Sequence, residues 1–183
     1  KTKEELRALL SVGKSTLSNW LSDIDKAQRE ERDRLIADMW LACYTEDEIA
    51  EAVELAQPTI NRMIEEKSQL FPNLDKAMIF SEYREPEWEP PLYDVWTAAR
   101  ASNKVRHPGM SEASFVDNLL YMYTQPFDIV VDPFAGGGST IDVCKHRLRR
   151  YWVSDRKPVV ERNDIREWDI LNGTPPLHKR WQD

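Results

Sequence analysis

The chain of 183 residues has only two cysteines, Cys43 and Cys144, which lie far apart in segments of helical character. Two such cysteines form neither a disulfide framework nor a metal cluster, which favours a reducing cytoplasm. No apolar run approaches the roughly 18 residues that a membrane helix requires, and the first residues lack the pattern of a signal peptide. The sequence therefore predicts a cytoplasmic protein with no membrane span and no metal site.

Positive charge is also scarce, because 25 Lys and Arg stand against 32 Asp and Glu, a net charge of −7. This balance argues against broad affinity for nucleic acid. The cations are unevenly distributed, however, and six of them gather in one region: Lys145, Arg147, Arg149, Arg150, Arg156 and Lys157. They either complement the dipole at the end of a helix or contribute to a surface for nucleic acid, and the sequence leaves both readings open.

Glycine is sparse as well, yet three of the six glycines are consecutive at Gly136, Gly137 and Gly138. The β-branched run from Ile129 ends in Asp132 before them, and an amphipathic segment from Thr140 to Arg150 follows Ser139. This order predicts a strand, a glycine turn and a helix. Such a unit lets the backbone approach a ligand at the carboxyl edge of a sheet, where the helix directs its free N–H groups.

A second acid stands in a matching place. Tyr151 to Ser154 reads as a strand that ends at Asp155, which follows Asp132 by 23 residues. In nucleotide-binding βαβ units a ribose-binding carboxylate stands about 20 residues after the glycine motif. An adenosine-containing ligand is therefore expected, although a glycine turn alone is also compatible with a purely structural role.

The string D-P-F-A-G-G-G-S-T resembles the cofactor motif of the S-adenosylmethionine-dependent amino-methyltransferases of DNA, which reads D-P-F, a small residue, G-S-G-T-T. The matching residues are Asp132, Pro133, Phe134, Gly136, Gly138 and Thr140, and Gly137 and Ser139 are conservative departures. The family also has a His-Pro pair upstream, then a helix and a Pro-Gly-Asp turn. This chain has His107-Pro108, a helical segment from Ser114 to Tyr123, and Phe127 in place of the turn glycine.

The resemblance implies methyl transfer from S-adenosylmethionine (SAM) to an exocyclic amino group of adenine or cytosine in DNA. It implies that Asp155 binds the ribose hydroxyls and that Asp169, with Asp164 as the rival, binds the adenine amino group. The expected cofactor-binding residues are Asp132, Pro133, Phe134, Ala135, Gly136, Gly138, Ser139, Thr140, Asp155 and Asp169. No residue of this chain is assigned a catalytic role.

Members of the family also carry a D/N-P-P-Y/W tetrapeptide, which accepts hydrogen bonds from the target amino group and stacks on the flipped base. No such string occurs here, because Pro90-Pro91 follow Glu89 and Pro175-Pro176 follow Thr174. We therefore expect the chain to be part of a longer polypeptide and to be inactive alone. A permuted methyltransferase is disfavoured because the region before residue 70 consists of helical repeats.

The N-terminal third contains an internal repeat, since Thr2 to Leu21 aligns with Thr45 to Ile64 at an offset of 43 residues. Apolar positions fall on apolar positions throughout the alignment. Both copies open with T-x-x-E, a capping box that satisfies free donors at the start of a helix. Each then predicts two short helices, and Asp23 to Leu41 predicts a further helix between the copies.

The repeat resembles paired helix-turn-helix units of bacterial repressors and of ParB-type partition proteins, with Ser11 and Glu54 where the turn usually has glycine. In such units residues near the start of the second helix enter the major groove. The expected DNA-facing residues are Lys14, Ser15, Thr16, Ser18, Asn19, Gln57, Thr59, Asn61 and Arg62. A helical bundle without DNA contact is the alternative, and acidic residues make the second copy the weaker candidate.

The predicted fold class is α plus α/β, with a tandem helix-turn-helix region (residues 1–70), a Pro- and Glu-rich linker (71–99) and part of a Rossmann-like methyltransferase sheet (100–183). The predicted function is that of a DNA methyltransferase fragment, with double-stranded DNA as partner and a homodimer compatible with the sequence. The alternative is a non-enzymatic DNA-binding regulator or ParB-like partition adaptor with a nucleotide-binding scaffold.

Overall fold

The computed structural model describes residues 9–74 and 111–173. Several predicted features lie outside these ranges, namely the first capping box, most of the linker, His107-Pro108 and both proline pairs. The described residues form a mixed α/β structure. No helix in these two ranges is long and apolar enough to cross a bilayer.

The helical part consists of α1 (Lys14–Leu41), α2 (Glu46–Ala52) and α3 (Gln57–Glu65). The prediction of a separate helix from Asp23 to Leu41 was wrong, because α1 runs through Asp23 without a break. Lys14–Leu41 contains neither glycine nor proline, so nothing in the backbone interrupts the hydrogen-bond ladder. The second helix of the first copy and the helix between the copies are therefore one element.

The second copy forms two helices joined by a turn. Thr45 and Glu48 make the predicted capping box: the Thr45 N–H donates to Glu48 Oε2 at 2.7 Å, and the Glu48 N–H donates to Thr45 Oγ1 at 3.3 Å. Pro58 lies in the first turn of α3, as predicted. At the end of α2 the Leu55 N–H donates to the Ala50 carbonyl at 3.0 Å, a bond of the Schellman motif.

The turn residues of both copies share one backbone conformation. Ser11 has a φ of 52° and Glu54 a φ of 55°, which place both in the left-handed region. Glycine normally occupies this conformation because a Cβ atom is strained there. Residues that are 43 positions apart in the repeat therefore share a backbone conformation as well as a sequence pattern, even though neither Ser11 nor Glu54 is glycine.

Replacing Glu54 with glycine is expected to stabilise the protein. Relief of the left-handed strain should raise the free energy of unfolding by about 1–2 kcal/mol. Glycine also makes the unfolded chain more flexible, which lowers the free energy of unfolding by about 0.4–1 kcal/mol. The net result should be an increase of about 0.5–1 kcal/mol. Urea denaturation measures the change. The matched control is Glu51→Gly inside α2, which should destabilise by a similar amount; stabilisation by both changes, or by neither, would contradict the strain argument.

The two copies differ in how they pack. In α3 the side chains of Ile60, Met63 and Ile64 are buried in the core. In the first copy Leu17 is buried, but Trp20, which corresponds to Met63, is 48% exposed. The second copy is therefore the one that is integrated into the protein core.

The α/β part contains a three-stranded parallel sheet in the order β1–β2–β3. Its elements are α4 (Ala113–Tyr123), β1 (Ile129–Asp132), α5 (Ser139–His146), β2 (Arg150–Asp155), β3 (Arg166–Glu167) and a 3₁₀ turn (Ile170–Asn172). In the register of β1 and β2, Asp132 lies opposite Val153. The helix α5 packs on β2 and α4 packs on α5, so the strand–turn–helix–strand prediction is confirmed.

The end of α5 differs from the prediction, which extended this helix to Arg150. The helix ends at His146 because Leu148 adopts a φ of 53° and reverses the chain. The Arg149 N–H then donates to the Cys144 carbonyl at 2.8 Å, again as in a Schellman motif. Arg150 accordingly belongs to β2.

The helical and α/β parts share one continuous core. Trp40 at the end of α1, Phe71 after α3 and Phe127 before β1 form an aromatic cluster with ring centroids 5.0–5.5 Å apart. Two arginines add polar contacts: Arg150 Nε donates to the Trp40 carbonyl at 3.1 Å, and an Arg166 Nη donates to the Ala42 carbonyl at 3.2 Å. These carbonyls lie at the C-terminus of α1, where cationic donors are favourable.

Candidate functional site

The glycine turn connects β1 to α5, and the Asp132 side chain forms hydrogen bonds to residues on both sides of it. One carboxylate oxygen of Asp132 accepts from the Phe134 N–H at 2.9 Å, and the other accepts from Thr140 Oγ1 at 2.6 Å. The two bonds tie the strand end to both the start of the turn and the first turn of the helix. In this structure Asp132 and Thr140 brace the turn from within.

Asp155 at the tip of β2 meets the turn directly. Its Oδ2 accepts from the Gly136 N–H at 3.0 Å, and its Oδ1 accepts from the Lys157 N–H at 2.9 Å. The backbone is joined here as well, because the Ala135 N–H donates to the Ser154 carbonyl at 2.9 Å. The structure therefore brings the predicted ribose acid and the predicted glycine turn together at one edge of the sheet.

The turn offers one open side. Gly136 is half-buried and Phe134 is 70% exposed, whereas Gly137 and Gly138 are buried. Of the other predicted cofactor residues, Pro133 is half-buried and Ala135, Ser139 and Thr140 are buried. Within the described ranges, the backbone N–H groups of Gly137 and Thr140 make no hydrogen bond. Unpaired amides at a helix start favour a ligand with anionic or polar oxygens.

The rival adenine acid, Asp164, is engaged elsewhere. Its two oxygens accept from Arg162 Nε at 2.8 Å and from an Arg162 Nη at 3.0 Å, and Lys145 Nζ lies 3.4 Å away. Burial opposes ionisation of Asp164, but the hydrogen bonds and charge of Arg162 outweigh it and hold the pKa of this carboxyl below its ordinary value. Asp164 therefore braces the site through Arg162.

The lowered pKa of Asp164 predicts a pH-dependent contribution to stability. The folded protein holds the carboxylate ionised to a lower pH than the unfolded chain does, so its stabilisation is complete at neutral pH. It should be lost as the pH falls below the ordinary aspartate pKa of about 4 and through the folded-state value. Urea denaturation at pH 7 and pH 3 should show that Asp164→Asn destabilises at pH 7 and much less at pH 3; an equal loss at both would contradict the ion pair.

Asp169, the predicted adenine acid, lies on the segment that follows β3. Its carboxylate accepts from the Leu171 N–H at 2.9 Å and caps the 3₁₀ turn. The neighbouring Trp168 N–H donates to the Asp155 carbonyl at 3.0 Å, which fixes this segment to the tip of β2. Asp169 is half-buried, and one of its oxygens accepts no hydrogen bond from the described residues.

Most of the six gathered cations have partners within the protein. Arg147 and Arg149 are buried, Arg150 donates to the end of α1, and Lys145 pairs with Asp164. Arg147 forms a buried ion pair with Asp117 of α4. Only Arg156 and Lys157 are exposed, so most of this charge serves internal packing.

The predicted DNA-facing residues all lie at the surface. Lys14, Ser15, Thr16, Ser18, Asn19, Asn61 and Arg62 are exposed, and Gln57 and Thr59 are half-buried. In α3 Arg62 lies on the side away from the buried Ile60 and Ile64, whereas Gln57 precedes these two residues by three and seven positions and borders the buried side. The acidic first turn of α2, Glu46 to Glu48, belongs to the same copy as α3. Its negative charge still disfavours DNA contact by the second copy.

Two charged residues with buried or half-buried partners were not singled out in the sequence, Arg162 beside the glycine turn and Asp117 in α4. Arg162 lies in the irregular segment between β2 and β3, where no periodicity marks it, and Asp117 lies within an otherwise ordinary helix. A charged residue in an apolar helical face was the available signal for Asp117. Arg162 carried no such signal, because its partners Asp142 and Asp164 come together only in the folded chain.

Nucleotide-binding α/β units have this same arrangement of a strand, a glycine turn and a helix, with an acid at the tip of the next parallel strand. A family model described as DNA methylase, of the N6 and N4 amino-methyltransferases, matches residues 14–160. The chain belongs to this family. The match includes α1–α3 as well as the glycine turn. Comparisons with curated proteins and with solved structures find no match.

Proposed function

We propose that this chain supplies the cofactor-binding unit and a DNA-reading unit of a SAM-dependent DNA methyltransferase. The observation that carries the proposal is the bond between Asp155 Oδ2 and the Gly136 N–H at 3.0 Å, which joins the acid and the glycine turn. A carboxylate oxygen has two lone-pair directions, so Asp155 retains acceptor capacity for ribose hydroxyls. Family membership supports the same conclusion.

The residues around the turn fit such a nucleoside. The unpaired amides of Gly137 and Thr140 suit its carboxylate, and the exposed ring of Phe134 is an apolar surface at the mouth of the turn. Asp169, fixed beside the tip of β2, is the candidate acceptor for the adenine amino group. SAM supplies an electrophilic methyl group, and this chain would bind and orient it, since alignment contributes much of the rate in such transfers.

The acceptor of the methyl group would be the exocyclic nitrogen of adenine or cytosine. This chain contains no D/N-P-P-Y/W string to hold such a base. We therefore expect the chain to bind SAM and to leave DNA unmethylated unless the acceptor residues are supplied by a longer polypeptide.

For DNA, we propose that the starts of α1 and α3 contact the duplex. Exposed donors and acceptors of the kind that read base edges and phosphates are presented by Lys14, Ser15, Thr16, Ser18, Asn19, Asn61 and Arg62. Because α1–α3 share a core with the sheet, bound DNA would have a fixed orientation relative to the glycine turn.

Calorimetry of the chain with SAM, with S-adenosylhomocysteine and with ATP tests the cofactor assignment. SAM and S-adenosylhomocysteine are expected to bind and ATP is not. Binding of ATP alone would favour the alternative, a DNA-binding regulator or ParB-like partition adaptor with a nucleotide-binding scaffold. Methylation is measured with labelled SAM and duplex oligonucleotides, both for this chain and for a longer polypeptide that contains it together with the acceptor tetrapeptide. If the longer polypeptide also leaves the DNA unmethylated, the proposed reaction is refuted.

A further inference from the structure

Arg162 joins two segments that border the glycine turn. One Nη donates to both oxygens of Asp142, in the first turn of α5, at 3.1 and 3.2 Å. Its Nε and other Nη bind Asp164, which belongs to the same connection between β2 and β3 as Arg162. The side chain is only 9% exposed. Paired, largely buried guanidinium–carboxylate contacts of this kind fix geometry more strongly than exposed ion pairs do.

The guanidinium group also lies against Gly138. A Cβ atom at this position would be 2.8 Å from Arg162 Cζ and 3.0 Å from each Nη. Since the three distances are nearly equal, the flat face of the guanidinium is turned toward the glycine. Gly138 has a φ of 81°, in the left-handed region, and is the residue from which α5 begins. Arg162 thus covers the left-handed glycine at which α5 begins.

The connection that carries Arg162 begins at Asp155. The same short segment therefore contributes the acid that bonds to Gly136 and the guanidinium that covers Gly138. Both ends of the glycine turn are held by groups from this segment. A turn held in this way does not need a ligand to define its shape, and a preformed site avoids the cost of ordering on binding.

We propose that Arg162 is a positioning residue that fixes the glycine turn in its cofactor-binding shape before the cofactor binds. This inference rests on the proposed function, because it takes SAM as the ligand that binds the glycine turn. Arg162 acts through Gly138 and Asp142 and need not touch the cofactor. Loss of its flat guanidinium frees the start of α5, and binding must then order the turn.

The test compares Arg162→Ala and Arg162→Lys with the unchanged chain by calorimetry. We expect Arg162→Ala to weaken binding of SAM and of S-adenosylhomocysteine by the same factor of about 10, because the turn and not the methyl group is affected. Arg162→Lys keeps the positive charge but not the flat guanidinium. Its affinity for SAM should therefore lie between that of the unchanged chain and that of Arg162→Ala. The matched control is Arg34→Ala, which removes an exposed arginine paired with Glu31 and should leave both affinities unchanged.

Hydrogen exchange provides a readout that a general loss of stability would not reproduce. The amides from Gly138 to Asp142 should exchange faster in Arg162→Ala, while those of α4 keep the rate of the unchanged chain. If Arg162→Ala does not fold, Arg162→Lys is compared with the unchanged chain in the same way. Unchanged exchange in this segment would overturn the inference.

The two proposals fail in different ways. If the unchanged chain binds neither SAM nor S-adenosylhomocysteine, the proposed function is wrong, and the exchange rates still decide whether Arg162 orders the turn. If the unchanged chain binds SAM and both Arg162 variants bind it equally well, the role of Arg162 is refuted and the function stands.

Discussion

Replacing Asp155 with alanine is expected to weaken SAM binding about 100-fold, the largest effect on affinity that we predict. Hydrogen bonds to a charged group contribute about 1.5–3 kcal/mol each, and a loss of about 2.7 kcal/mol corresponds to two powers of ten in the dissociation constant. The change removes both the proposed ribose acceptor and the bond to the Gly136 N–H. Calorimetric titration with SAM measures it.

Two variants separate these contributions. Asp155→Asn keeps an oxygen that can accept from the Gly136 N–H but loses the charge, so its affinity should fall between those of the unchanged chain and the alanine variant. Asp128→Ala is the matched control, because Asp128 also accepts from a backbone amide, that of Gln125, but lies before β1. Unchanged affinity in Asp155→Ala would remove the ribose assignment.

Replacing Asp117 with alanine is expected to lower the free energy of unfolding by about 3–5 kcal/mol, the cost of leaving a buried charge unpaired. Asp117 and Arg147 are both fully buried and joined by two hydrogen bonds. Among the described residues, one Nη of Arg147 has no hydrogen-bond partner even in the unchanged chain. Domains of this size have only about 5–15 kcal/mol of stability, so this single change removes a large part of it. Urea denaturation measures the loss.

The double variant Asp117→Leu with Arg147→Met tests the reason for the loss. Replacing both charges with apolar side chains of similar size removes the unpaired charge, and such replacements are often close to neutral. The double variant should therefore be more stable than Asp117→Ala. A double variant as unstable as the single one would show that packing, and not the uncompensated charge of Arg147, accounts for the loss.

Phe127 illustrates how the two parts of the chain are joined. It stands where the family resemblance has glycine, and it adopts a φ of 73°. A side chain in this conformation costs about 1–2 kcal/mol. In return its ring contacts Trp40 and Phe71, and Lys67 Nζ lies 4.7 Å from its centroid. The turn keeps the glycine geometry, and the added ring packs the helical part against the sheet.

The helix ends show why some boundaries could not be predicted. Cys43, Glu54 and Leu148 each adopt a positive φ just after a helix, where glycine is the usual signal. With only six glycines in the chain, these ends carried no marker. The end of α5 was therefore placed four residues too late, although the Thr45 capping box and the strand–turn–helix order were predicted from local sequence alone.

The sequence by itself determined the glycine turn, the acids at the two strand tips and the two helices of the second repeat copy, because each depends on residues close together in the chain. The tertiary structure decided which charges serve the site. It paired Asp164 with Arg162, Arg147 with Asp117, and Arg150 with the end of α1. These partners are distant in sequence or lie in segments without periodicity, and only burial in a shared core decides whether a charge stabilises the fold or remains for a ligand.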